Sequence, residues 1–147
     1  MNRTFFSLKI FLGLVGLCMV LHLAASPAVA QYSVIVSKSS TQKASKDEAR
    51  DMFTGVKLTW ADGAKVVVID QAESATGKGF YEKFIGKSTN QVRMQWTKLM
   101  LSGQAAAPKK CADDAAAKKA VAESPNAVGY VASSALDDTV KEIARIE

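Results

Sequence analysis

The sequence predicts an α/β fold in which a mixed sheet is flanked by helices. Short runs rich in β-branched residues, at positions 34–36, 66–69 and 128–132, read as strands. Between them lie segments whose apolar residues recur at helical spacing, several of them preceded by a capping residue. Strands that alternate with helices along a chain are typical of the α/β class.

The first predicted helix follows the strand at 34–36. Ser45 and Glu48 have the spacing of a capping box, in which each side chain bonds the backbone N–H of the other residue. Gly55 is placed to end this helix. Its apolar stripe, which we expect to face the core, comprises Ala49, Met52 and Phe53.

A turn and a second strand come next. Asp62-Gly63 is a turn signal. The four consecutive β-branched residues at 66–69 predict a strand buried on both faces, as in a parallel or mixed sheet. After a loop, a second helix should end at Gly86, and its helical spacing is carried by Phe80, Tyr81, Phe84 and Ile85.

The C-terminal half continues the alternation. Ser88 and Gln91 form a second capping box, and the helix after it should end near Gly103. Residues 105–110 read as a loop, and an Ala-rich helix follows the acidic pair 113–114. A strand at 128–132 comes next. Residues 140–146 read as a final strand, although their apolar spacing would also suit a helix.

Residues 1–30 have the organisation of a secretory signal peptide. Arg3 and Lys9 precede an apolar run at 10–25, and Ala28 and Ala30 frame an A-x-A cleavage site before Gln31. An uncleaved N-terminal anchor is the alternative, but a spanning helix needs about 20 apolar residues. We therefore expect an α/β domain at 31–147 that is exported to the periplasm.

The composition of residues 31–147 excludes several functions. They carry 17 Lys and Arg against 14 Asp and Glu, a net charge of +3 without a clustered basic patch, so nucleic-acid binding is not expected. They contain no histidine, which excludes histidine-based triads and histidine metal sites. Cys111 is their only cysteine; it is either a half-buried small hydrophobic residue or half of an intermolecular bridge. No cofactor or metal is expected.

The loop at 70–79 could carry a binding function. It lies between a buried strand and a helix, and in open α/β sheets ligands bind beyond the carboxyl ends of strands. A helix N-terminus there offers free N–H groups to an anion. Ser74 and Thr76 add hydroxyl donors, and Gly77 allows the backbone to approach closely. The alternative is that these residues are only a helix cap.

Three segments, taken in order, resemble the phosphate-type periplasmic substrate-binding proteins of ABC importers. Residues 49–62, with Trp60 and an Asp-Gly turn, are similar to the family's "IF-G…W-DG" segment. Residues 74–76, followed by Phe80, resemble its Ser-Gly-Thr loop, and residues 126–131 its "GAIGYV" strand. The resemblance implies a single lobe of a type II periplasmic-binding-protein-like fold. It also implies phosphate or a similar small oxyanion as ligand, held by Ser74 and Thr76. Gly77 is added to the predicted ligand-binding residues because of its place in the loop.

The chain departs from the family at two points, and these keep other functions open. We expect the chain to form only one lobe, and Asp70 stands where the family loop usually has an arginine that pairs with the anion. The chain could therefore be a solute-binding protein served by ABC membrane components. Alternatively, it is an interaction module that binds another envelope protein or forms a homodimer. An enzyme, with acid/base pairs such as Asp70 with Glu73 or Asp113 with Asp114, is not expected because no nucleophile accompanies them. Trp60 and Trp96 are assigned to packing.

Overall fold

A computed structural model describes residues 31–147, and the predicted signal peptide at 1–30 lies outside the described residues. The described chain forms one mixed sheet of five strands in the order β3-β2-β4-β1-β5. Strand β1 runs antiparallel to β4 and β5, whereas β2 runs parallel to β3 and β4. The strands are β1 (Tyr32–Ser37), β2 (Val67–Asp70), β3 (Lys109–Lys110), β4 (Ala127–Ala132) and β5 (Val140–Ile146).

Four α-helices among residues 31–147 connect the strands, and their caps follow the sequence signals. Both predicted capping boxes form, at Ser45 and at Ser88, and Gly55 and Gly86 adopt the left-handed conformation. A π-helical turn (Tyr81–Ile85) extends the second helix, and a 3-10 turn (Ser133–Ala135) follows β4. The α-helices are α1 (Lys46–Thr54), α2 (Ala75–Phe80), α3 (Thr89–Leu101) and α4 (Asp114–Ala122).

The sheet separates two hydrophobic clusters, because successive side chains of a strand point to opposite faces. In β1, Val34 and Val36 belong to the larger cluster, whereas Ile35 belongs to the smaller one. The larger cluster receives the apolar faces of α1 and α3, and the smaller cluster receives α4. The larger cluster also contains Phe80, Tyr81, Phe84 and Ile85. The α/β class and the flanked mixed sheet are therefore confirmed.

The aromatic residues are packed as predicted, and they centre on Phe80. Its ring stacks on Tyr130 with 3.8 Å between centroids and meets Phe53 edge to face at 5.2 Å. Both tryptophans are buried, and each indole N–H donates to a backbone carbonyl. Trp60 donates to Asn126 at 2.9 Å and Trp96 to Phe53 at 3.0 Å. Their assignment to packing is confirmed.

The second strand differs from its prediction. Burial on both faces holds for Val68 and Ile69, but Val67 is 40% exposed and Val66 precedes the strand. The reason is the shortness of β3, which covers β2 only at its C-terminal end and leaves Val67 at an open edge. The predicted loop at 105–110 also ends in this strand, formed by two lysines that carry no apolar signal. Residues 140–146 form the expected strand rather than a helix.

Candidate functional site

The predicted binding residues lie together at the carboxyl end of β2. Ser74 is the N-cap of α2, and its Oγ accepts the N–H of Gly77 at 2.9 Å. The same hydroxyl donates to Oε1 of Gln71 at 2.8 Å. The Ser74 hydroxyl therefore has both a donor and an acceptor partner within the chain.

Thr76 is engaged by a carboxylate from a distant part of the sequence. Its Oγ1 donates to Oδ2 of Asp114 over 3.4 Å, and Oδ1 of Asp114 accepts from Nε2 of Gln71 at 2.7 Å. Gln71 is 1% exposed and also donates to the carbonyl of Tyr130 at 2.8 Å. A buried amide thus joins β2, α4 and β4 directly beneath the predicted loop.

Gly77 is predicted to let the backbone approach a ligand closely. In the structure it lets the backbone of α2 lie close to another part of the same chain. A Cβ at this position would lie 2.0 Å from the carbonyl oxygen of Gln71. Gly79 is similar, because a Cβ there would lie 1.9 Å from the hydroxyl of Tyr32. Both glycines therefore let α2 sit tightly against its neighbours.

Two tyrosine hydroxyls donate to the side chain of Asp70, in addition to the backbone N–H of Ala72. The hydroxyl of Tyr130 donates to Oδ1 at 2.8 Å, and that of Tyr81 donates to Oδ2 at 3.1 Å. Burial raises the pKa of Asp70 above its usual range, against the effect of these two hydrogen bonds. Burial and the nearby carboxylate raise the pKa of both tyrosines, so their hydroxyls remain donors at neutral pH.

The other acidic residues considered for catalysis have structural partners. Glu73 pairs with Arg93 at 2.9 Å, with both side chains largely exposed. Asp113 caps α4 by accepting the N–H of Ala116 at 2.8 Å. Within residues 31–147, no group of three or more His, Cys, Asp or Glu side chains is arranged to hold a metal ion.

Sequence reasoning did not identify three members of this network, namely Gln71, Asp114 and Tyr130. The sequence marks Asp114 as an acidic residue at a helix start and as half of a considered acid/base pair, and it marks Tyr130 only as part of a strand. Their convergence depends on long-range pairing, because β2 and β4 are neighbours in the sheet although the paired residues Val67 and Ala127 are 60 positions apart in the sequence. One feature of the sequence could have indicated Gln71, because it is a polar residue directly after a predicted buried strand.

Cys111 is partly exposed, and burial raises the pKa of its thiol. The half-buried position fits the simpler of the two predictions for this residue. No helix among residues 31–147 has the length and hydropathy needed to cross a membrane.

The described residues form an α/β fold with a five-stranded mixed sheet flanked by helices. No family model matches the sequence, and no curated protein is detectably similar to it. Solved structures do match, over 78% of this chain. They include a phosphate-bound substrate-binding protein ascribed to a phosphate ABC transporter of Clostridium perfringens (TM-score 0.62, 20% identity).

Two further solved structures match the same share of the chain. One is an ABC-type phosphate transport receptor from Vibrio cholerae (TM-score 0.60, 17% identity), and the other is PstS from Borrelia burgdorferi (TM-score 0.56, 11% identity). This chain covers 45%, 46% and 47% of the three structures, less than half of each. The predicted resemblance in fold to a single lobe of such proteins is confirmed.

Proposed function

We propose that this chain is an exported solute-binding-type protein that binds phosphate or a similar small oxyanion in connection with ABC import. The proposed ligands are Ser74, Thr76 and Gly77. The proposed partners are the membrane components of an importer or another envelope protein. The signal peptide at 1–30 would direct export to the periplasm and would be cleaved from the exported protein. Catalysis forms no part of this proposal.

The observation that carries the proposal is the place of the loop in the fold. Two hydroxyls and the first N–H groups of α2 follow β2 at the carboxyl edge of its parallel pairs, where α/β folds bind ligands. The likeness in fold to a phosphate-bound protein supports the same choice of ligand. To accept an anion, the hydroxyls must exchange their present partners, the side chains of Gln71 and Asp114.

The test is a calorimetric titration with phosphate of the protein purified after expression of the full-length chain. It is run beside the double variant Ser74→Ala, Thr76→Ala. Since Ser74 is also a helix cap, its loss costs about 1 kcal/mol of stability. Ser88→Ala removes an equivalent cap from α3 and is the matched control.

Saturable binding by the wild type and by the Ser88 variant, lost in the double variant, is the expected result. If none of the three proteins bound phosphate at millimolar concentration, the proposal would be overturned. If the double variant still bound phosphate, the proposed ligand would stand, but Ser74 and Thr76 would not be its binding residues.

A second candidate is an interaction module that keeps the fold without the ligand. It is favoured by the internal partners of Ser74 and Thr76 and by two exposed apolar residues of α3, Met94 (62% exposed) and Leu101 (85%). They are seven residues apart and therefore lie on one face of the helix. Apolar side chains grouped on a surface are typical of a protein contact.

Sedimentation velocity distinguishes this candidate from the first. The interaction module would be favoured if the protein did not bind phosphate and associated with itself, and if the double substitution Met94→Lys, Leu101→Lys abolished that self-association. A strictly monomeric protein that binds phosphate would argue against it.

A further inference from the structure

A cavity of about 300 Å³ opens beside the loop after β2, between α3 and the segment that leads into β3. Its volume is at the lower end of the range of small-molecule sites. Much of its wall is apolar, contributed by Val92, Trp96 and Met100 of α3 and by Ala107 and Pro108 opposite. Ser74, Thr76 and Gly77 do not line it, so this cavity is separate from the proposed oxyanion ligands.

The charged residues of the cavity do not contribute equally. Arg93 and Glu73 pair with each other at 2.9 Å. Lys110 is exposed, and its long side chain can keep its ammonium group in water. Asp70 is partly buried, and neither of its two side-chain donors, the hydroxyls of Tyr81 and Tyr130, carries a charge. None of the ion pairs formed among residues 31–147 includes Asp70.

The lining therefore combines an apolar wall with a partly desolvated carboxylate that has no cationic partner. An electrostatic interaction strengthens as the local dielectric falls, so the more buried charge dominates the selection of a ligand. A carboxylate in such a place favours a cation, and the wall favours an apolar group attached to it. Aromatic or branched alkyl amines combine the two.

We propose that the cavity between α3 and β3 binds a small organic cation, a primary amine with an apolar substituent, whose ammonium group pairs with Asp70. The apolar substituent packs against Trp96 and Met100. This site would take a ligand of opposite charge to the oxyanion proposed for the neighbouring loop, and it does not depend on that proposal.

Three ligands of nearly equal shape test the proposal by calorimetry at pH 7.5: phenethylamine, 2-phenylethanol and phenylacetate. The amine is cationic at this pH, because alkyl amines titrate near pH 10. They are titrated into the protein obtained by expressing the full-length chain. We expect the amine to bind at least about tenfold more tightly than the alcohol, a difference of about 1.4 kcal/mol. The acid should bind more weakly than the alcohol.

Variants locate the site. Asp70→Asn keeps the shape and an acceptor for Tyr130, and it should remove the preference for the amine over the alcohol. Ala107→Trp should fill the cavity and abolish binding of the amine. Ala106→Trp is its matched control, since Ala106 is also exposed but does not line this cavity.

The proposal would be supported if the Ala106 variant still bound the amine, the Ala107 variant did not, and Asp70→Asn no longer preferred the amine over the alcohol. It would be overturned if none of the ligands bound or if all bound equally. Binding of the amine to Asp70→Asn at wild-type strength would also overturn it. If phenylacetate bound best, the cavity would be governed by Lys110 or Arg93, and the proposal would be wrong.

Discussion

Asp70 shows how one residue can determine the chemistry of a site. Its carboxylate stands at the end of β2 and is held by the hydroxyls of Tyr81 and Tyr130. These donors compensate only in part for burial, because the pKa of Asp70 is still raised. The ionised side chain is therefore a cost to folding at neutral pH that a neutral residue of the same shape would avoid.

Asp70→Asn should raise the stability of the protein at pH 7. A carboxyl whose pKa is higher in the folded state binds protons more readily there than when unfolded, so wild-type stability falls as pH rises through the folded pKa. The stability of the variant lacks this decrease. The difference in the free energy of unfolding between variant and wild type, measured by urea unfolding, should therefore grow from pH 4 to pH 8. Asp138→Asn, at an exposed position, is the control. An advantage that shrinks with rising pH would contradict the explanation.

Asp114 presents a carboxylate to the side chains that would receive an anion. Its oxygens accept from Gln71 and Thr76, and a like charge about 4 Å from a bound anion costs on the order of 4 kcal/mol at an effective dielectric near 20. If phosphate binds at this loop, Asp114→Asn should raise its affinity at least about tenfold in calorimetry. Asp113→Asn removes a neighbouring charge that caps α4 instead. Equal affinities in the two variants would show that Asp114 does not compete.

At the scale of elements, local signals predicted more than long-range ones. The two capping boxes and the left-handed glycines 55 and 86 are properties of four to ten consecutive residues, and the structure has them all. Strand β3 has no such local signal. Its two lysines pair with β2 only because the chain returns to the sheet after α3. The same holds for the candidate site, where Ser74 was evident as a cap but its partner Gln71 was not.

Helix α2 depends on a glycine for its position. A methyl group on Gly77 would overlap the carbonyl oxygen of Gln71, since Cβ and oxygen would be 2.0 Å apart. Gly77→Ala should therefore lower the free energy of unfolding by about 1–3 kcal/mol, the usual range for overpacking. Lys78→Ala, at the next and exposed position of the helix, should change it by less than about 0.5 kcal/mol. Equal effects in urea unfolding would contradict this account of the packing.

At the scale of the whole described chain, residues 31–147, the sheet lies between two hydrophobic clusters that share no helix. Val121 of α4 is fully buried in the smaller cluster, whereas Trp60 and Trp96 both belong to the larger one. A substitution on one face should therefore be reported by the tryptophans on the other, provided that the described chain unfolds as one unit.

Val121→Ala should destabilise the protein by about 2 kcal/mol, because it removes two buried carbon atoms and leaves a cavity. Tryptophan fluorescence and far-UV circular dichroism should report one shared midpoint during urea unfolding. Ala122→Gly, at an exposed helix end, is a milder control. If the fluorescence midpoint stayed at the wild-type value while the dichroism midpoint moved, the two faces would be independent.

The shortness of β3 also affects how the protein behaves in a crowded solution. An edge strand with unpaired N–H and C=O groups can recruit strands from other molecules, and proteins counter this with very short edges and with lysine. At one edge of this sheet, β3 offers two residues, both of them exposed lysines. At the other edge, β5 carries Lys141, Glu142 and Arg145 within seven residues. We therefore expect both edges to disfavour edge-to-edge aggregation when the protein is concentrated.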